Sequence, residues 1–245
     1  MDSMRFIYDA PAILIKKTLI VGDTHFGMEQ KLQKKGIYDE NFSRKLVDRL
    51  ISIIKQHKAE KVILLGDVKE SITVLDKKTE DALNRLADVC EIIIVRGNHD
   101  GGIEKFKRAT IYPSDGFVYE NLGLLHGHSY PSDELLMCDY LVMGHQHPLI
   151  RIADSFGKVH SEPVWIFAEN NGNKLKEHYK RFNKKIKLIL MPAFNPLVGF
   201  PIKLTKKDAL GPLFNKNLFK LDDALLFRLD GTRLGNFKQI KNQKS

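Results

Sequence analysis

The chain is poor in cysteine and tryptophan and has no long apolar run. Cys90 and Cys138 are the only two cysteines in 245 residues; they stand far apart and form no paired motif. A disulfide scaffold is therefore not expected, and buried free thiols in a reducing compartment are. No apolar stretch approaches membrane-spanning length. The early run Ala12-Ile13-Leu14-Ile15 is cut by Lys16-Lys17, so a signal peptide is not expected and a cytoplasmic location is. Internal repeats, low-complexity tracts and a domain linker are missing too, which suits one domain over residues 1–245. What is present is enough apolar residue for a substantial core, 43% of the chain. There is also an excess of base, with Lys plus Arg 39 against Asp plus Glu 30 and a net charge of +9. That balance favours anionic partners without naming one.

Along the chain, Ile13–Ile15 and Leu19–Val21 have the apolar, β-branched character of buried strands, and a basic loop or short helix with Lys31, Lys34 and Lys35 follows. Phe42, Leu46, Leu50, Ile53 and Ile54 recur at helical spacing behind Asn41, a candidate N-cap. A strand at Val62–Leu65, a helix from Thr79 to Asp88 and a strand at 91–96 complete an alternation that predicts a parallel sheet with right-handed crossovers. Shorter strands are predicted at 117–119, 123–125, 140–143, 149–153, 163–168 and 186–191, with a short helix between Ser132 and Cys138. A basic helical insertion is predicted near 173–187, where Lys174, Lys176, Lys180, Arg181, Lys184, Lys185 and Lys187 face Glu177 alone. A hairpin turning at Asp230-Gly231 is expected near 224–235, and a frayed basic end from Lys238.

The strand ends are unusually rich in Asp and His. Gly22-Asp23-Thr24-His25, Gly66-Asp67, Gly97-Asn98-His99-Asp100, His126-Gly127-His128 and Gly144-His145-Gln146-His147 each follow a predicted strand. Any one of them is adequately explained as a polar turn or a helix cap. The first three gather at one edge of a parallel sheet, where open α/β sheets place ligands, and five such motifs in one chain are not a coincidence of polar turns. Asp23, His25, Asp67, Asn98, His126, His145 and His147 form a mixed oxygen and nitrogen set suited to Mn, Fe, Zn, Co or Ni. Seven ligands exceed the needs of one ion, so two divalent transition metals are expected, Mn foremost, with one carboxylate between them.

In this order the motifs resemble the calcineurin-like metallophosphoesterase superfamily over roughly residues 13–195. The resemblance implies an α/β fold, a four-layer α/β/β/α sandwich of two mixed sheets flanked by helices. It implies Asp23, His25, Asp67 and His147 at one metal and Asp67, Asn98, His126 and His145 at the other, with Asp67 bridging. It also implies that His99 meets the substrate without binding metal and that Asp100 orients it. His126 is taken as the ligand and His128 as a pocket residue, though the two are interchangeable at this stage. Gly66-Asp67-Val68-Lys69, Asp23-Thr24-His25-Phe26-Gly27-Met28-Glu29 and Pro192-Ala193-Phe194-Asn195-Pro196 are similar to a narrower group. Its members are microbial phosphoesterases associated with DNA ligases and Lhr-type helicases, some of them DNA-repair endonucleases.

The expected activity is thus hydrolysis of a phosphate ester by metal-activated water. A phosphodiesterase or nuclease acting on nucleic acid is favoured, with a repair helicase or ligase as a partner. Lys180, Arg181 and Lys184, joined by Lys31, Lys34 and Lys35, are candidates to track a phosphate backbone; an ordinary solvated helix face explains them equally well. The alternatives are a hydrolase of a small phosphomonoester or cyclic nucleotide, and a non-catalytic nucleic-acid-binding or scaffolding subunit.

Overall fold

A computed structural model of the chain describes residues 4–153, 156–201 and 211–242. Its first half comprises β1 (Arg5–Phe6), β2 (Ile13–Ile15), β3 (Thr18–Val21), α1 (Glu29–Lys34), α2 (Phe42–Gln56), β4 (Lys61–Leu65), α3 (Lys77–Ala87), β5 (Glu91–Val95) and β6 (Ala109–Tyr112). The six strands pair in sequence order, β3 to β6 in parallel. The second half comprises β7 (Phe117–Tyr119), β8 (Leu122–Leu125), β9 (Tyr140–Met143), β10 (Pro148–Ala153), β11 (Val159–Glu169), α4 (Gly172–His178), β12 (Lys187–Leu190), β13 (Phe200–Pro201), α5 (Pro212–Asn215), β14 (Leu225–Arg228), β15 (Arg233–Asn236) and α6 (Phe237–Asn242). These strands run in the order β13-β10-β11-β12-β9-β8-β7, with the β14–β15 hairpin attached at β11. Strands β8, β9 and β12 are parallel to one another.

The two-residue period of the strands explains the layering. On β4 and β5, Val62, Leu64, Ile92 and Ile94 pack outward against Leu46, Leu50 and Ile54 of α2 and Leu83 and Leu86 of α3. Their neighbours Ile63, Leu65, Ile93 and Val95 face the other sheet, where Leu124, Val142, Trp165, Ile189 and Met191 meet them. On the far side of the second sheet, Leu141, Met143, Leu188 and Leu190 pack with Leu175, Phe214, Phe237 and Ile240. Each such strand is buried on both faces, which accounts for its uninterrupted apolar run. The result is the expected four-layer arrangement, two mixed sheets flanked by helices.

Several local expectations differ. Asn41 occupies the N-cap of α2 without a side-chain cap bond; Glu29 instead accepts from the Ser43 amide and hydroxyl at 2.8 Å, tying α1 to α2. The basic helix near 173–187 ends at His178. Tyr179, Phe182 and Ile186 keep helical spacing, but tertiary bonds hold the chain after Tyr179 open. Asn183 donates to the carbonyl of Cys138, and Asn170 to the carbonyls of Lys184 and Ile186. Strand β6 was not expected, because Ala-Thr-Ile-Tyr is short and only partly apolar. The segment from Lys238 is ordered as α6, since Phe237 and Ile240 enter the core; residues 243–245 lie outside the described residues. Both cysteines are free, but only Cys138 is buried.

Candidate metal centre

Parallel pairing delivers the motifs to one place. Strands β3, β4 and β5 end in Asp23, Asp67 and Asn98, and β8 and β9 end in His126 and His145, from the facing sheet. His126 links the two sheets: its Nδ1 donates to the carbonyl of Leu65 at 3.0 Å, which turns Nε2 toward Asn98 and His145. The turns are tightly folded. Asp23, His25, Asp67, His145 and His147 all have positive φ, between 43° and 67°. Few residues other than glycine adopt that region, and such strain concentrates at functional sites. Two glycines make room for the packing. A Cβ on Gly97 would lie 2.2 Å from the Asp67 amide nitrogen, and one on Gly66 would lie 2.4 Å from the His126 ring.

Three groups of donor atoms result among the described residues, and two of them include Asp67. Asp23, His25, Asp67 and His147 form the first, and Asp67, His126 and His145 the second; His25, Glu70 and His99 form the third. In the first, His147 Nε2 is 2.9 Å from Asp23 Oδ1 and His25 Nε2 is 3.7 Å from Asp67 Oδ2. In the second, His126 Nε2 lies 3.2 Å from Asn98 Oδ1, 3.4 Å from Asp67 Oδ1 and 3.1 Å from His145 Nδ1. Asn98 is thus within reach of the second group.

The donor atoms fit divalent cations. His25 Nε2 is buried and has no hydrogen-bond partner. Around His126 Nε2, lone pairs of oxygen and nitrogen converge, and only a proton or a cation relieves their mutual repulsion. The titration behaviour of the protein alone reflects the same crowding. Burial pushes Asp23 upward, but His147, His126 and His25 carry it net below the usual carboxylate value. Asp67 is likewise lowered despite burial, chiefly by His126 and by the His99 amide. Burial depresses His126, yet Asp67 and Asp23 outweigh it and raise the group to about 9. His145, buried beside His126, falls to about 4.

Glu70 is a site residue that motif reasoning did not assign. Its Oε2 accepts from His25 Nδ1 at 2.9 Å, turning Nε2 toward Asp67. Lys31 on α1 pairs with its other oxygen. Burial alone would raise Glu70, but His25 and Lys31 lower it to about 2. A carboxylate behind a ligand histidine fixes its tautomer and strengthens its basicity. The only trace in the sequence was Glu70's position three residues after Asp67.

His99 lies beside the cluster, its ring 5.1 Å from that of His25. Asp100 does not orient it, contrary to expectation. The buried Asp100 carboxylate accepts instead from the amides of Gly97 at 2.7 Å and Val68 at 2.9 Å. A carboxylate on the residue that closes this tight turn meets the backbone donor at the turn's start before it can reach a neighbouring ring. The His99 ring is held by Glu70's carbonyl, 2.9 Å from Nδ1. His128 is half-buried with its Nδ1 unpartnered and stands outside all three donor groups, whereas His126 is inside one. Lys180, Arg181 and Lys184 are not brought to the cluster. They lie in the connection that enters β12 at Lys187, opposite Tyr140 at the start of β9, whereas the cluster sits beyond the other end of β9. The proline-rich loop after β12 does reach it. Asn195 is buried, donates to the carbonyl of Thr24 at 3.0 Å and braces the Asp23 turn.

Residues 17–162 match the calcineurin-like phosphoesterase superfamily domain. No curated protein matches the chain. Among solved structures it is similar to the Pseudomonas putida nuclease MPE, with 19% identity over 90% of this chain and 89% of that one and a TM-score of 0.56. It is also similar to the E. coli phosphoesterase Yfce, with 18% identity over 90% and 97% and a TM-score of 0.43. The first likeness is one of fold. The matched domain spans more than half the sequence and holds all seven candidate ligands, and the chain belongs to the calcineurin-like phosphoesterase superfamily of metal-dependent hydrolases.

Proposed function

We propose that this protein is a two-metal phosphodiesterase that cleaves nucleic acid. The observation carrying this reading is Asp67, one buried carboxylate common to the first two groups of donor atoms. Asp23, His25, Asp67 and His147 would hold one ion and Asp67, Asn98, His126 and His145 the other. Bound there, divalent ions would supply a nucleophile from water at neutral pH and neutralise charge on the phosphoryl group. The chain's own contribution is position. Leu65 and Glu70 orient His126 and His25, and the strained turns keep the ligands converged. His99 presents Nε2, the ring nitrogen not engaged by Glu70, toward a substrate at the cluster.

Support for a polymeric anionic substrate comes from the +9 charge and from exposed Lys34 and Lys35 at the end of α1, the helix that follows the His25 turn in the chain. The fold shared with a protein described as a nuclease agrees with it. The sequence resemblance to the ligase- and helicase-associated group extends the proposal to a role beside such a partner in DNA repair.

The test is turnover of single- and double-stranded DNA, cyclic nucleotides, bis-p-nitrophenyl phosphate and p-nitrophenyl phosphate. Each is assayed after chelation and after return of Mn or Mg. Diesters should be cleaved, Mn should restore more activity than Mg with this histidine-rich set, and Asp67→Asn should lose at least one ion and most of the rate. Turnover of the monoester alone would replace this reading with that of a small-molecule phosphatase. Binding of DNA without any hydrolysis would leave a non-catalytic role.

A further inference from the structure

Lys69 has no accessible surface. Lysine is almost never buried without partners, and those of Lys69 are two backbone carbonyls. Nζ donates to the carbonyl of His99 at 2.7 Å and to that of Ser71. The surrounding backbone is an extra extended segment laid against the His25 turn. Phe26 donates to the carbonyl of Val68 and Glu70 to that of Phe26, each at 2.8 Å. On its other side the segment meets the His99 turn, where the Val68 amide reaches Asp100.

One stretch of chain therefore holds His99 at three points. The His99 amide donates to Asp67 Oδ1 at 2.9 Å, its carbonyl accepts from Lys69, and its ring Nδ1 meets the carbonyl of Glu70 at 2.9 Å. A carbonyl oxygen only accepts, so Nδ1 carries the hydrogen and Nε2 is the free edge. Packing does not account for the lysine. A methionine would fill similar space without taking an amine out of water.

We propose that Lys69 is a positioning residue for hydrolysis, fixing the His99 carbonyl so that the imidazole keeps one tautomer and one orientation toward the substrate. The inference rests on the reading above that His99 meets the substrate. Without the Nζ bond, two half-buried carbonyls lose their donor and the peptide after His99 is held only by the 3.3 Å bond from the Asp100 amide to the Gly97 carbonyl. The ring then loses its alignment with Glu70 while the metal ligands keep theirs.

The test combines nitrogen-edited NMR of the metal-free protein with kinetics of Lys69→Met, His99→Ala and the double variant. Metal content and melting temperature are measured for each. In the unsubstituted protein His99 should be a single Nδ1–H tautomer and the Lys69 side-chain protons should exchange slowly. Lys69→Met should let the tautomers average. It should also lower kcat on a nucleotide diester by about 10–100-fold with both ions kept, as expected when a reacting group is misplaced by a fraction of an ångström to about 1 Å. In the His99→Ala background the same change should alter kcat by less than about twofold, because residues acting as a unit are not additive. Additive losses would overturn the proposal. So would an Nε2–H tautomer or fast-exchanging Lys69 protons in the unsubstituted protein, whether or not Lys69→Met folds. A His99→Ala enzyme of full activity would refute the substrate-facing reading of His99, and the catalytic value of Lys69 with it.

Discussion

Gly97→Ala is the most stringent single-atom test of the cluster. The added Cβ would stand 2.2 Å from the Asp67 amide nitrogen, 2.3 Å from Asp67 Oδ1 and 3.0 Å from Asp100 Oδ2. Ordinary contact begins near 3.4 Å, so the turns after β4 and β5 must separate by about 1.2 Å. The obstacle is backbone and cannot swing away. Asp67 is further tied by its carbonyl, which accepts from the His25 amide at 2.9 Å. Overpacking of this kind costs about 1–3 kcal/mol, which for a chain of this size lowers the melting temperature by roughly 2–12 °C. The functional loss should be larger. Asp67 belongs to two of the donor groups, and misplacement by about 1 Å typically costs about 10²-fold in rate. Metal content by mass spectrometry, diester turnover and a thermal melt would be read together. Gly172→Ala serves as control, because its Cβ meets only Asn170 Oδ1 at 3.5 Å, an ordinary contact in a helix that favours alanine. A Gly97→Ala enzyme with two ions and a rate within threefold of the original would refute the claim that these turns are packed to their limit.

Three further outcomes are expected. Glu70→Gln removes the charge behind His25 and should weaken metal binding about 10–100-fold in a chelator competition while the fold persists; unchanged affinity would show that Glu70 merely anchors Lys31. In the metal-stripped protein, the raised His126 contributes stability that is full below its unfolded value near 6.5 and is lost as pH rises toward about 9. Urea midpoints should therefore fall across that window and the fall should shrink in His126→Asn, the remainder coming from His147, where burial is likewise outweighed by Asp23, which raises it; a midpoint flat with pH would contradict the ion pairing with Asp67 and Asp23. On single-stranded DNA, Lys34→Ala with Lys35→Ala should reduce the salt slope of binding by about 0.7 per lost contact. Changing Lys180, Arg181 and Lys184 together to Ala should leave binding and cleavage alone, and the opposite ranking would move the substrate path to the other end of β12.

The candidate donor cluster was legible from the chain alone because its chemistry is local. A strand followed by glycine and a donor side chain announces itself over a few residues. Three such units must share one edge because their strands are parallel, and the facing sheet brings the other two. The buried character of β4, β5, β9 and β12 was implicit in the same runs, whereas the two-sheet core was implied by the family resemblance. What the tertiary structure alone decided were contacts between segments distant in sequence or between side chain and backbone. Glu70 behind His25, Asp100 on the amides of Gly97 and Val68, and Lys69 on the His99 carbonyl depend on how three turns stack, which no spacing encodes. Basic residues 180–185 kept a helical pattern, yet Asn170 and Asn183 offered their backbone and its surroundings stronger bonds elsewhere. Charge and periodicity report what a segment is able to do. Whether it does so near the donor cluster depends on which end of the sheet the chain enters, and topology sets that.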